Sequence, residues 1–266
     1  MGDPARLRAT ATALAVWVLL LPANAVGDGP TCAGYLQVPA AQATWYTVGS
    51  PQCSLPVAPG DFVTAVAAPD FQGSGACGRC LQVTGPLGSV LVLVVDQCPG
   101  CVAGHLDLGA DAFAQVAAPT DGIADISYES TECPVVGPIH IYFSPAGNPY
   151  YAQVQIRNHR YGVKSVEAYA DGSWVSLPRT ADNYFEFNRS ELVPNPLDLR
   201  VTDIHDDVLV ESGVHVAANS EVTGSGQFTP CPEPHPVASA TALLATASLC
   251  HRRRIARKRA QPDPAT

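Results

Sequence analysis

The sequence predicts an all-β protein in two parts, a small closed barrel followed by a β-sandwich, on three observations. Glycine (22) and proline (24) are plentiful among the 266 residues, which favours many turns and short strands over long helices. The apolar runs are short and rich in branched residues, and only the stretch 111–118 carries a convincing helical pattern. In the second half about seven such runs recur with turn signals every 8–12 residues, the spacing of a sandwich. The length suits two small domains.

Residues 1–25 read as a signal peptide. Arg6 and Arg8 give a basic start, 11–21 an apolar core, and Ala23-Asn24-Ala25 a cleavage site. The protein is therefore expected to be secreted and extracellular, with a mature chain starting near Val26. Residues 26–43 are loop-like and 43–47 form a first strand. A second strand, 62–67, follows the turn Ala58-Pro59-Gly60-Asp61. Residues 73–80 make a tight crossing, and 81–84 a strand that turns at 85–88 into the buried run 89–95. That run delivers Asp96 and is followed by a Cys-Pro-Gly-Cys corner at 98–101. A short strand, 105–108, holds Asp107 between two leucines, one or two helical turns follow at 111–118, and 123–130 is the last barrel strand. The barrel thus occupies 26–133 and a stiff linker 134–138.

The sandwich is assigned to 139–225, with strands at 139–143, 150–158, 163–170, 174–177, 184–187, 197–203 and 208–211. Asp171-Gly172 marks a hairpin between two of them. The chain from 213 to 233 reads as loose, and 226–266 as a low-complexity tail. Within that tail, 237–250 is an apolar run followed by basic residues. It falls short of the roughly 20 residues of a membrane span, so a C-terminal tether and a disordered tail both stay open.

Charge narrows the partners. Residues 26–250 carry 7 basic and 22 acidic side chains, a net of −15. Such a surface argues against nucleic acid and anionic polysaccharide, and a neutral polymeric ligand fits better. A monomer is expected, with no cofactor. Cys77-x2-Cys80, seventeen residues, and Cys98-x2-Cys101 match a four-thiolate zinc template. Export and the apolar strand between the pairs favour disulfides over metal. Cys53, Cys77, Cys80 and Cys133 are then candidates for pinning barrel strands, with Cys98–Cys101 a local link.

The residues placed for chemistry are Asp96 and Asp107, two carboxylates expected to be brought near each other by a tight turn. The plainer alternative is that Asp107 caps a turn or helix.

Several motifs resemble a known family. ATWYT at 43–47, ACGRCLQV at 76–83, VVDQCPGC at 94–101 and HLDLGADAF at 105–113 are similar to the first domain of expansins and their microbial relatives. YYAQVQIRNHRYGVKSVEAYADGSWVSL at 150–177 and LDLRVTDI at 197–204 resemble the expansin C-terminal domain. The resemblance spans about 33–225. It implies a six-stranded double-psi β-barrel related to family 45 endoglucanases, then an Ig-like β-sandwich of carbohydrate-binding module family 63. Asp107 falls on the acid that wall loosening depends on, Asp96 on the aspartate after the preceding strand, and Thr44 and Tyr46 on groove residues. The resemblance also suggests a Cys80–Cys133 pair. Cys98 stands where several bacterial members have a tyrosine that meets the glucan.

Tyr150 and Tyr151 fall on the family's paired platform tryptophans. Asp182 replaces the third aromatic, for which Tyr184 is the candidate stand-in. Period two groups Tyr151 with Gln153 and Gln155 and leaves Tyr150 on the apolar side unless a bulge intervenes. Trp174 reads as packed near a core, and Arg157, His159 and Arg160 as a solvated strand end.

The family 45 base is missing, because Thr47 to Ser50 follow Tyr46 without a carboxylate. The resemblance thus implies a non-enzymatic protein that binds cellulose and related wall polysaccharides and loosens them without hydrolysis. The alternatives are a weak endoglucanase or lytic glycan-cleaving enzyme on the same barrel, and a binding module whose barrel is inert.

Overall fold

The first half of the computed structural model, which describes residues 36–231, is a closed barrel. Its strands are β1 (Gln37–Tyr46), β2 (Val63–Ala67), β3 (Cys80–Gly85), β4 (Gly88–Cys98), β5 (Leu106–Gly109) and β6 (Ala124–Thr131). They close in the order β1-β5-β2-β4-β3-β6, with β1·β5 and β2·β4 parallel. This is the double-psi barrel that the motifs imply. Alternation in β4 sends Val90, Val92 and Val94 inward, and Leu106 and Leu108 of β5 are fully buried. Helix α1 (Ala68–Phe71), not anticipated from the sequence, buries Phe71, and α2 (Ala110–Val116) buries Phe113 and Val116. Each such side chain contributes about 2 kcal/mol by leaving water.

The six candidate cysteines pair as Cys53–Cys77, Cys80–Cys133 and Cys98–Cys101. Both Cys-x2-Cys motifs therefore lack the thiolates that zinc needs. Cys80 opens β3 and Cys133 follows β6, so this bridge closes a loop of 53 residues. Restricting the unfolded chain that far is worth about 4 kcal/mol. Cys231 is disulfide-bonded as well. The signal peptide and the 237–250 run lie outside the described residues.

Two four-stranded sheets follow. One has the order β11 (Phe185–Asn188), β8 (Tyr151–Arg157), β7 (His140–Phe143), β14 (Ser220–Thr223). The other has β10 (Ser173–Ser176), β9 (Val163–Ala170), β12 (Leu197–Asp203), β13 (Val208–Val214). Ile141, Val154 and Ile156 of the first meet Val166, Leu199 and Val201 of the second in one core. Asp171 (φ 52°) and Gly172 (φ 80°) both take left-handed conformations, as a type I′ hairpin requires.

The stretch 213–233 is more ordered than its sequence suggests. β13 runs to Val214, β14 pairs with β7, and Phe228 is buried in the sandwich core. The edge strand Ser-Glu-Val-Thr has too weak an apolar alternation to be read without its partner.

Barrel and sandwich are locked together by direct contacts. Gln155 Nε2, fully buried, donates to the Cys53 carbonyl (3.0 Å), and Ser74 Oγ donates to the Thr180 carbonyl (2.7 Å). Arg179 donates to the carbonyls of Ser74 and Val163 and lies over the Phe185 ring. Burial, and after it the Arg79 charge, lower its pKa to about 10. His159 is no solvated strand end: it is buried against Gly78, where its ring fills the space that a barrel side chain would occupy.

Gly78 has φ +73°, and a Cβ there would lie 2.4 Å from His159 Cε1. Gly78→Ala is expected to cost about 3 kcal/mol, through the clash and the left-handed backbone. Calorimetry should show Tm falling by about 6–12 °C, whereas an unchanged Tm would mean that this contact is slack.

Candidate functional site

Parallel pairing of β1 with β5 sets Thr44 beside Asp107. The flanking Leu106 and Leu108 point into the core, so the pleat turns the Asp107 carboxyl outward. Thr44 Oγ1 donates to Asp107 Oδ1 at 2.7 Å and lies 3.0 Å from His105 Nε2.

Ala65 of β2 pairs with Asp107 on one side and Asp96 on the other. Two strand spacings therefore separate these aspartates, about 10 Å between Cα atoms. Asp96 Oδ1 accepts the amides of Gln52 and Gln97, each at 2.9 Å, and so holds the loop after β1 in place.

Tyr46 shares the Thr44 side of β1. Its hydroxyl is buried and has no hydrogen-bond partner among the described residues. Burial first, then the charges of Asp96 and Asp107, push its pKa far above that of free tyrosine, so it remains a neutral donor. A cleft of about 330 Å³ opens beside it, lined among others by Val48, Asp61 and Asp111. Asp61 Oδ2 accepts the Ala58 amide (2.7 Å) and closes its own turn.

On the sandwich, the outer face of β8 carries Tyr151 and Gln153, both hydrogen-bonded to Glu186 Oε1 of β11 (2.6 and 3.2 Å). Burial and the Glu186 bond push the Tyr151 pKa up to about 12. Tyr184, just before β11, lies 6.4 Å from the Tyr142 ring of β7, and the Arg157 guanidinium covers Tyr142 at 3.7 Å. Buried Gln155 lies on β8, opposite Tyr142 in the register. Tyr150 is not on the apolar side: it precedes β8 in a turn, half-exposed, with its amide on Asn148 Oδ1. Asp182 takes the Thr180 hydroxyl. Trp174 is not core either. It lies on the outer face of the other sheet, against Tyr169 and under Arg200.

Gln52 links the two surfaces. Its backbone N–H donates to Asp96 Oδ1 (2.9 Å) and its side-chain Nε2 donates to the Ala181 carbonyl (3.2 Å), three residues before Tyr184. Thr44, Tyr46, Asp96 and Asp107 thus cluster on the barrel, and Tyr151 and Tyr184 share one sandwich sheet. Sequence reasoning missed His105, Gln52 and Tyr142. Period two along β7, with Ile141 and Phe143 inward, would have turned Tyr142 outward. Gln52 carries no sequence signal.

No family model matches the chain. The crystal structure of the expansin of Clavibacter michiganensis is 32% identical, with a TM-score of 0.68, and the match covers 74% of this chain and all of that one. The chain belongs to the expansin family. A mutant of the Clavibacter protein in complex with cellohexaose superposes equally well on this expansin. Among sequences, Expansin-like protein 2 of Dictyostelium discoideum is 32% identical over 202 residues, and Expansin-YoaJ of Bacillus subtilis is 30% identical over 154. These matches cover 70% and 56% of this chain, and 49% and 66% of those proteins. The expansin described here therefore spans about half the length of the first relative and about two thirds of the second.

Proposed function

We propose that this expansin is secreted, binds cellulose and related wall glucans, and weakens adhesion between polysaccharide chains without cleaving them. The observation that carries this reading is the outward Asp107 carboxylate, fixed by Thr44, while an oxygen of Asp96 is taken up by two backbone amides. Asp107 is then an acceptor for sugar hydroxyls that otherwise bond neighbouring chains, beside the half-buried Tyr46 ring. The cellohexaose complex of the Clavibacter protein supports a glucan as ligand. The leader pattern of residues 1–25 and the disulfides fit an oxidising compartment outside the cell.

Adsorption is assigned to the sandwich, where Tyr151 and Tyr184 present aromatic surface to pyranose faces. Tyr151→Ala and Tyr184→Ala should each weaken binding to microcrystalline cellulose about fivefold, roughly 1 kcal/mol. A pull-down with unchanged adsorption in both variants would remove the platform.

The direct test of function is extensometry on heat-killed wall strips, with reducing ends measured in the same bath. Creep without sugar release is expected. A second reading, weak endoglucanase activity, draws on Asp61 and Asp111 lining the cleft beside Tyr46. Steady release of reducing ends from soluble glucan, lost in Asp61→Asn or Asp111→Asn, would establish it instead.

A further inference from the structure

The hydrogen bonds at Thr44 form a chain of three groups, His105 Nε2, Thr44 Oγ1 and Asp107 Oδ1, with links of 3.0 and 2.7 Å. A threonine hydroxyl has one proton to donate. When Asp107 is a carboxylate, that proton points to Oδ1, and His105 Nε2 must then be the donor to Oγ1. When Asp107 is a carboxylic acid it donates to Oγ1, the Thr44 proton turns to His105, and Nε2 must be bare.

We propose that His105 is a positioning residue that exchanges a proton with Asp107 through the Thr44 hydroxyl, so that the charges of the two groups appear and vanish together. The step balances. The imidazolium Nε2 proton passes to Thr44 Oγ1 while the Thr44 proton passes to Asp107 Oδ1. An imidazolium and a carboxylate become a neutral imidazole and a carboxylic acid, with no change in total charge or atoms. Backbone register holds the links in line, because Thr44 and Asp107 are direct neighbours on parallel strands and His105 immediately precedes β5.

Other ionisable groups border the chain on each side. Asp96, at the end of β4, and Tyr46 of β1 lie on the Asp107 side, as the effect of both aspartates on the Tyr46 hydroxyl shows. On the His105 side, Asp70 of α1 accepts the Gly104 amide (2.6 Å) and, after burial, adds to the raised pKa of Tyr128 of β6. Asp70 and Asp96 are thus the acidic neighbours that flank the two ends of the chain.

The bearing of this chain on wall creep rests on the function proposed above, while the proton coupling itself does not. The test is an NMR titration of the whole secreted protein, following the Asp107 carboxyl carbon and the His105 ring. In the unmodified protein each signal should titrate in two steps that coincide with those of the other. Thr44→Val, which keeps the shape and removes the hydroxyl, should leave one step for each group at different pH. Thr44→Ser should restore the shared pair. Single, unrelated steps in the unmodified protein, or shared steps that survive Thr44→Val, would overturn the proposal even if walls loosen normally. Shared steps in a protein that causes no creep would uphold the coupling and sink the loosening function instead.

Discussion

Asp107→Asn should reduce wall creep at least tenfold while leaving adsorption to cellulose nearly unchanged. Asparagine keeps the shape of the side chain, and its carbonyl oxygen still accepts the Thr44 hydroxyl, which sits 2.7 Å from Asp107 Oδ1. What is lost is the negative charge. A hydrogen bond to a charged acceptor is worth about 1.5–3 kcal/mol, so its loss corresponds to roughly 10- to 150-fold. The tyrosines proposed for adsorption belong to the other domain, and Gln52 reaches the loop before β11 from Asp96 rather than from Asp107. Creep by extensometry and adsorption by pull-down should therefore separate in this variant. Creep at the unmodified rate would show that the carboxylate is only a structural part of β5.

Acid should loosen the junction between the two halves. His159 is enclosed there, with Nδ1 2.7 Å from the Tyr161 carbonyl. Burial lowers its pKa to about 4 from 6.5; the Tyr161 bond works against this shift and the Arg179 charge adds to it. The unfolded chain thus takes up a proton near pH 6.5 that the folded protein refuses until about pH 4. Stability from the neutral ring is complete above about pH 6.5, declines as pH falls through that window, and levels off below about 4. The whole decline is about 3 kcal/mol. Denaturant midpoints at pH 7 and pH 4.5 should show most of it. In His159→Gln, less stable at neutral pH, this part of the acid dependence should vanish. An equal slope in both proteins would place the acid sensitivity in other groups.

The positions of the elements were largely legible in the sequence, because short branched runs separated by glycine and proline leave few other ways to bury apolar area. The valines of β4 and the Asp171-Gly172 turn are examples: alternation and a demand for positive φ are local properties. The polar edge strand β14 was not legible, since its partner β7 lies far away in the chain. Tyr150 and Trp174 were misplaced for a related reason. Period-two counting assumes that a strand starts where its first aromatic stands, whereas β8 begins one residue after Tyr150 and the outer side of β10 is set by pairing with β9. His159 looked solvated because a polar strand end normally is; a glycine 81 positions earlier makes room for it.

Sequence alone determined which residues are available for chemistry: a carboxylate between two leucines, cysteines spaced for pairing, and no acid directly after Tyr46. These follow from composition and near-neighbour pattern, which the chain carries before it folds. Only the tertiary structure decided how those groups are used. Whether Asp96 serves a ligand or a loop, whether His105 meets Thr44, and whether barrel and sandwich share one surface through Gln52 all depend on contacts between distant segments. Closure of the barrel and docking of the sandwich create those contacts, and no local periodicity encodes them.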